Sequence, residues 1–174
     1  MFQKIAATTT TPAKIKFYYK RDTIFNEVSL MSNYMAKNLA TKDGNSLTDE
    51  YAISDDERDL VDVCIRAALP DIYEAMTKIT HSIVDAFDDE ETVSGELCVA
   101  FTIQDNDAYN NNVLTMVDAS LNNCIKQGTL REIYSTITQP EFYNVCSTRF
   151  IGELYKLKQR LFQLKKKSVV SNLT

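Results

Sequence analysis

Apolar residues recur with helical spacing along most of the chain, which predicts a mainly α-helical protein. A first stripe runs from Ile24 to Leu39. A second begins at Ser54, where Glu57 completes a capping box, and keeps helical phase straight through Pro70 as far as Ile83. This unbroken phase favours one long helix kinked at Pro70 over two helices that meet there.

The last third of the chain continues this pattern. A helix is predicted over residues 112–127 and is followed by Gly128; residues 129–139 continue helically and stop before Pro140. A final helix runs from Glu141 into a lysine cluster, and its apolar stripe is Tyr143, Cys146, Phe150, Leu154, Leu157, Leu161 and Leu164. The fold class is therefore a bundle of four to five helices.

Two short segments show strand patterns instead. Residues 14–20 alternate apolar and polar side chains, and residues 98–103 form a β-prone run between turn residues. They predict isolated strands or a small β-hairpin, which needs a helix beneath it or strands from another copy. We divide the chain into an extended basic N-terminal arm (1–21), a helical domain (22–167) and a C-terminal tail (168–174).

Charge is segregated along the sequence. The formal net charge is −5, yet residues 1–21 and 155–174 contain basic residues and no acidic ones. Such basic ends are either solvated or meet an acidic surface, which a neighbouring copy or a nucleic acid would supply.

The sequence offers little catalytic chemistry. Gly-rich phosphate loops and nucleophile motifs are absent, and His81 is the single histidine. The four cysteines form no C-x-x-C pair, so they are interpreted as buried, reduced thiols. The acidic run Asp88–Glu91 is more typical of a solvated loop than of a cation site. We therefore expect no enzyme activity, no metal and no cofactor.

The sequence shows no apolar run long enough to span a membrane and no secretory signal, so we expect a protein of the cytosol.

A family resemblance adds to this interpretation. The segment Arg66–Tyr73 (RAALPDIY) lies in the predicted long helix and is followed by the β-prone stretch 98–103, the helix 112–127, the segment TLREIYSTI and a basic last helix. In order and spacing, residues 55–167 resemble the small helical head–tail connector proteins of tailed phages of Bacteroidetes, crAss-like phages included. Tyr134 stands where those proteins often have tryptophan, and the arm 1–21 has no counterpart in them.

The resemblance implies a structural virion protein of the neck, assembled in the bacterial cytoplasm. Copies would form a ring, typically of twelve, that binds the portal protein and further connector or tail proteins and extends the DNA channel. The alternative is a small helical regulatory module that contacts nucleic acid through its basic C-terminal helix.

Two sets of candidate contact residues follow from these hypotheses. The first would form the interface with a partner copy through the arm and the strand 98–103: Ile15, Phe17, Tyr19, Val99, Phe101 and Ile103. The second would face DNA in the channel or an acidic partner: Lys156, Lys158, Arg160, Lys165, Lys166 and Lys167.

Overall fold

The computed structural model of the chain describes residues 1–10, 12–37, 44, 51–80, 84–105, 109–137 and 139–170, without the side chains of 78–80, 84–87 and 165–170. The described part is mainly helical, with four α-helices and one small antiparallel sheet, which confirms the predicted class. The elements in chain order are β1 (Phe2–Ile5), β2 (Lys14–Lys20), α1 (Arg21–Ala36), a 3₁₀ turn (Asp55–Glu57), α2 (Arg58–Thr80), β3 (Val84–Val93), β4 (Glu96–Gln104), α3 (Asn111–Thr136) and α4 (Pro140–Val170).

Helix α2 runs uninterrupted through Pro70, so the single-helix prediction is confirmed. The capping box is also present, because the backbone N–H of Ser54 donates to the Glu57 carboxylate at 2.8 Å. Pro70 lies on the exposed face of the helix, where its ring meets solvent rather than the core. The described part of the helix extends to Thr80, and the predicted end at Ile83 lies outside the described residues, as does His81.

Helix α3 passes through Gly128 without a break, so the two segments predicted on either side of this glycine are one helix. A Cβ on Gly128 would lie 2.9 Å from Ala68 Cβ and 3.0 Å from Phe150 Cε2. The missing side chain lets α2 and α4 approach α3 closely. Helix α3 runs antiparallel to α4, because Gly128 lies beside Phe150 and Tyr134 lies against Phe142. It also runs antiparallel to α2, because Gly128 lies beside Ala68 and Thr136 is hydrogen-bonded to Cys64. Helices α2 and α4 therefore run in the same direction.

The sheet has four antiparallel strands in the order β1-β2-β4-β3. Phe17 lies opposite Phe2 on one side and opposite Phe101 on the other. The predicted arm 1–21 is therefore not separate, because its two strands belong to the sheet of the same chain. The acidic run Asp88–Glu91 is also not a loop; it lies in β3, which turns into β4 at Ser94 and Gly95 with positive φ.

The core lies between the sheet and the four helices. Alternate residues of β2 are buried, as the alternation predicts. In α4 the predicted stripe is buried at Cys146, Phe150, Leu157, Leu161 and Leu164, whereas Tyr143 is 38% exposed. Of the predicted tail, residues 168–170 continue α4, and residues 171–174 lie outside the described part of the chain.

Candidate functional site

The six residues predicted to contact a partner copy lie in the interior of their own chain. Ile15, Phe17 and Tyr19 of β2 face the core together with the β4 residues opposite them, Val99, Phe101 and Ile103, and none of the six is more than 6% exposed. The prediction recognised that the two strands belong together but assigned their apolar side to an interface. The four-stranded sheet and the helices packed on it cover that side within one chain.

The basic N-terminal segment finds its acidic partner in the same chain. Lys16 Nζ lies 2.8 Å from both carboxylate oxygens of Glu91, and Lys20 is paired with Glu96. Partial burial acts to lower the pKa of Lys16, but the hydrogen bond and charge of Glu91 outweigh it, so the pKa is raised. Since Glu91 lies in β3 and Glu96 in β4, the sheet itself brings these opposite charges together.

Arg21 is a further basic residue whose acidic partners lie in the same chain. It is 7% exposed and lies at the junction of β2 and α1. Its guanidinium donates to a carboxylate oxygen of Asp62 and to the backbone carbonyl of Asp89. Arg66 lies beside it, 3.3 Å from Asp62 and 3.3 Å from Glu90. The Asp89 carboxylate lies 3.9 Å from both arginines, so two arginines and three carboxylates join α2, β3 and the start of α1.

The basic residues of α4 are partly used inside the chain as well. Arg160 donates to the backbone carbonyl of Met116 at 2.7 Å and to the hydroxyl of Ser120, which ties α4 to α3. Lys156 forms an exposed ion pair with Glu153 at 2.7 Å. The half-buried Lys158 lines a groove of about 220 Å³ together with Asp71 and other residues of α2 and α4. The side chains of Lys165, Lys166 and Lys167 lie outside the described residues.

Two exposed surfaces differ in charge and share an apolar component. The first, at the start of α2, consists of Asp55, Asp56, Asp59 and Val63, and we call it the acidic end; Val63 is 63% exposed. Arg58 is paired there with Asp55 and with Asp22 of α1. An exposed valine among carboxylates is a feature that the helical pattern alone did not mark as functional.

The second surface lies on the C-terminal half of α4 and consists of Tyr155, Lys156, Lys158 and Phe162, which we call the basic end. Tyr155 is 63% exposed and Phe162 48% exposed. Residues 155, 158 and 162 follow helical spacing and form one stripe on α4. Residues 154–164 contain no acidic side chain.

A cavity of about 630 Å³ lies between the N-terminal strand and the helices. Its walls include Phe2 and Tyr18 from the sheet, Thr23 from α1, and Thr115 and Asn122 from α3. Tyr19 donates through its hydroxyl to Asp118 Oδ1 at 2.8 Å. Burial, together with the nearby Asp118 charge, raises the pKa of Tyr19 well above its ordinary value. Nothing in the sequence pattern linked Tyr19 to Asp118.

The four cysteines are all free and buried. Burial raises the pKa of Cys64 and of Cys146 to about 11. Within the described ranges, no group of three or more His, Cys, Asp or Glu side chains is placed to hold a metal ion. Among the helices that the structure describes, none is long and apolar enough to cross a membrane.

Comparison with known proteins found no matching family model, no matching curated protein and no matching solved structure.

Proposed function

We propose that the chain is the subunit of a ring, and that this ring is a head–tail connector in the neck of a tailed phage. It would bind the portal protein on one side and further connector or tail proteins on the other, and it would extend the DNA channel. The resemblance of residues 55–167 to such connectors suggests this role, and one feature of the structure supports the assembly that the role requires.

That feature is the separation of the acidic end from the basic end. Gly128 places Ala68 of α2 and Phe150 of α4 at the same level of the bundle. Val63 lies before that level on α2, and Phe162 lies beyond it on α4. Both helices run in the same direction and rise 1.5 Å per residue. Val63 and Phe162 are therefore about 25 Å apart along the bundle axis.

Two separate surfaces of opposite charge favour head-to-tail contacts between identical copies. A two-fold dimer uses the same surface on both subunits, whereas a ring joins two different surfaces. The exposed side chains Val63, Tyr155 and Phe162 would supply the apolar part of such a contact, and the carboxylates and lysines around them would set its orientation. Twelve copies, as the resemblance implies, would close the ring.

The nucleic-acid-binding module has weaker support. Arg160 donates to the carbonyl of Met116 and to the hydroxyl of Ser120, so one of the candidate phosphate contacts is already used within the chain. We therefore place DNA near the ring, in its channel, rather than on a specific surface of a single subunit.

Charge exchange between the two ends tests the proposal. We would measure the mass of the purified chain and image it, both alone and with the portal protein encoded by the same phage. The portal is included because connectors of this kind are often monomeric until they meet it. The wild-type chain should form rings. Asp59→Lys alone and Lys156→Glu alone should each reduce assembly at least tenfold, and the double variant should restore it in part.

Lys37→Glu is the matched control, since Lys37 is an exposed lysine outside both ends. It should assemble like the wild-type chain. A chain that stays monomeric with the portal, or charge variants that all assemble normally, would contradict the proposal.

A further inference from the structure

We propose that β1 is exchanged between neighbouring copies in the ring, so that Phe2–Ile5 of one copy pairs with β2 of the next. This inference rests on the proposed ring assembly and names a contact that would link its subunits. Four features of the described residues support it: the position of β1 in the sheet, the cavity beside it, its connection to β2, and the register of the pairing.

Strand β1 is short and lies at the edge of the sheet, next to β2 only. Gln3, Lys4 and Ile5 are exposed. Phe2 is half-buried and is the one side chain of the strand that packs on the core, with its ring centroid 5.8 Å from that of Phe17. The strand is therefore held mainly by main-chain hydrogen bonds to β2, which any strand of the same sequence can form.

The cavity of about 630 Å³ lies directly beside β1. Phe2 and Gln3 form part of one wall, and Thr115 and Asn122 of α3 form part of another. This space lies between Phe2–Gln3 and α3, whereas the amino group of Met1, just before the strand, reaches α3 and lies 3.1 Å from Asp118 Oδ1. Its release would break the contact of Phe2 with Phe17 and the ion pair of Met1 with Asp118, and an identical strand from a neighbour would restore both.

The connection between β1 and β2 comprises residues 6–13. Its described residues are exposed, apart from the half-buried Ala13, whose carbonyl accepts a 2.8 Å hydrogen bond from Asp105 N–H. This contact fixes the end of the connection nearest β2. Fully extended, residues 6–13 reach at most about 28 Å, so the exchange joins sheet edges of neighbouring copies that lie within this distance.

The occupant that best fits the vacated edge is the β1 of a second copy. Phe2 opposite Phe17 and Ile5 opposite Lys14 define a register in which this sequence already pairs with β2. The carbonyl of Met1 also accepts from Tyr18 N–H at 2.8 Å. An identical strand from a neighbour would reproduce each of these contacts, so the exchange costs little in the sheet itself.

Disulfide trapping between two single-cysteine variants tests the exchange. Gln3 and Lys16 are register partners, so one copy would carry Gln3→Cys and the other Lys16→Cys. The two variants are mixed before assembly with the portal protein and are then oxidised gently. Exchange predicts a covalent dimer that contains both variants, at least tenfold more abundant than in a mixture of Gln3→Cys with Lys37→Cys, because Lys37 is exposed and lies outside the sheet.

Two controls make the result decisive. The double variant Gln3→Cys/Lys16→Cys, oxidised as a dilute monomer, should close an internal disulfide, and the wild-type chain should not cross-link because its four thiols are buried. A second pair, Ile5→Cys with Lys14→Cys, repeats the test without changing Lys16, which is paired with Glu91. Rings that form with internal cross-links only would overturn the exchange and leave the proposed function standing. Failure to form rings at all would overturn both.

Discussion

Ala68 Cβ of α2 lies 2.9 Å from the position that a Cβ on Gly128 of α3 would occupy. Real Cβ atoms do not approach so closely, and Phe150 Cε2 closes the other side at 3.0 Å. Gly128 therefore sets the distance at which three helices cross, and the level at which α2 and α4 are aligned.

Gly128→Ala should destabilise the protein because the added methyl group forces α2 and α4 apart. Overpacking of this kind costs about 1–3 kcal/mol, more than the gain of about 1 kcal/mol from replacing a helical glycine with alanine. Gly152→Ala in α4 is the matched control, because its Cβ would meet nothing within 4 Å. It should stabilise by about 0.5–1 kcal/mol. Urea unfolding of both variants checks the prediction, and equal effects of the same sign would contradict it.

Arg21→Ala should destabilise far more than Arg58→Ala, although both remove an arginine that is paired with two acidic residues. Arg21 is buried, and its loss would leave the Asp89 carbonyl without this donor and the Asp62 carboxylate with Arg66 alone, which costs about 2–4 kcal/mol. Arg58 is half exposed, so its ion pairs and its contact with the Phe25 ring are worth about 1 kcal/mol together. Thermal unfolding of the two variants in one buffer should separate them by several degrees.

Pro70→Ala should stabilise the protein. Proline lacks the N–H that would bond to the carbonyl of Arg66 one turn earlier, and Pro70 lies on the exposed face where alanine meets no obstacle. The unfolded chain gains some freedom when proline is removed, which offsets up to about 1 kcal/mol. We expect a net gain of about 1–2 kcal/mol and a melting temperature higher by about 2–8 °C. A lower melting temperature would show that the bundle depends on the helix geometry that Pro70 imposes.

Helical periodicity predicted most of the bundle, because long amphipathic helices bury one continuous stripe. It placed α1, α2 through Pro70, and α4 correctly. It was wrong at Gly128. In the sequence this glycine is typical of a helix end, whereas in the structure it lies within α3 and makes room for α2 and α4. A glycine that ends a helix and one that permits a close crossing have the same local sequence signal.

The edge strands were missed for a different reason. β3 carries the acidic run Asp88–Glu91, whose sequence is typical of a loop. The sequence does not show that Lys16 and Arg21 pair with this run in the folded chain. β1 has four residues, too few for a periodic signal. Without these two strands, the buried sides of β2 and β4 appeared to need a partner copy, and the predicted interface followed from that error. The acidic end and the basic end are each formed by neighbouring residues, but the two ends lie far from each other along the sequence, and no local pattern relates their positions.

The buried thiols make stability depend on pH in the alkaline range. Burial is the main cause that raises the pKa of Cys64 and Cys146 to about 11; the charge of Glu132 adds to it at Cys64, and Arg149 partly opposes it at Cys146. An unfolded thiol loses its proton near pH 9, whereas these two keep theirs when folded. Their stabilising contribution is therefore complete below about pH 8.5 and is lost as pH rises toward 11. Each thiol lowers the free energy of unfolding by about 1.4 kcal/mol per pH unit in that window.

Urea unfolding between pH 7 and 11 checks this expectation. The free energy of unfolding should be level to about pH 8.5 and then fall, and Cys146→Ala, although less stable at pH 7, should show a shallower fall because one titrating group is gone. A thiol reagent at pH 8 should react slowly with the folded chain and label four cysteines after unfolding, since all four are buried and free. Rapid labelling of the folded chain, or an unchanged slope in Cys146→Ala, would contradict the assignment of the pH dependence to these buried thiols.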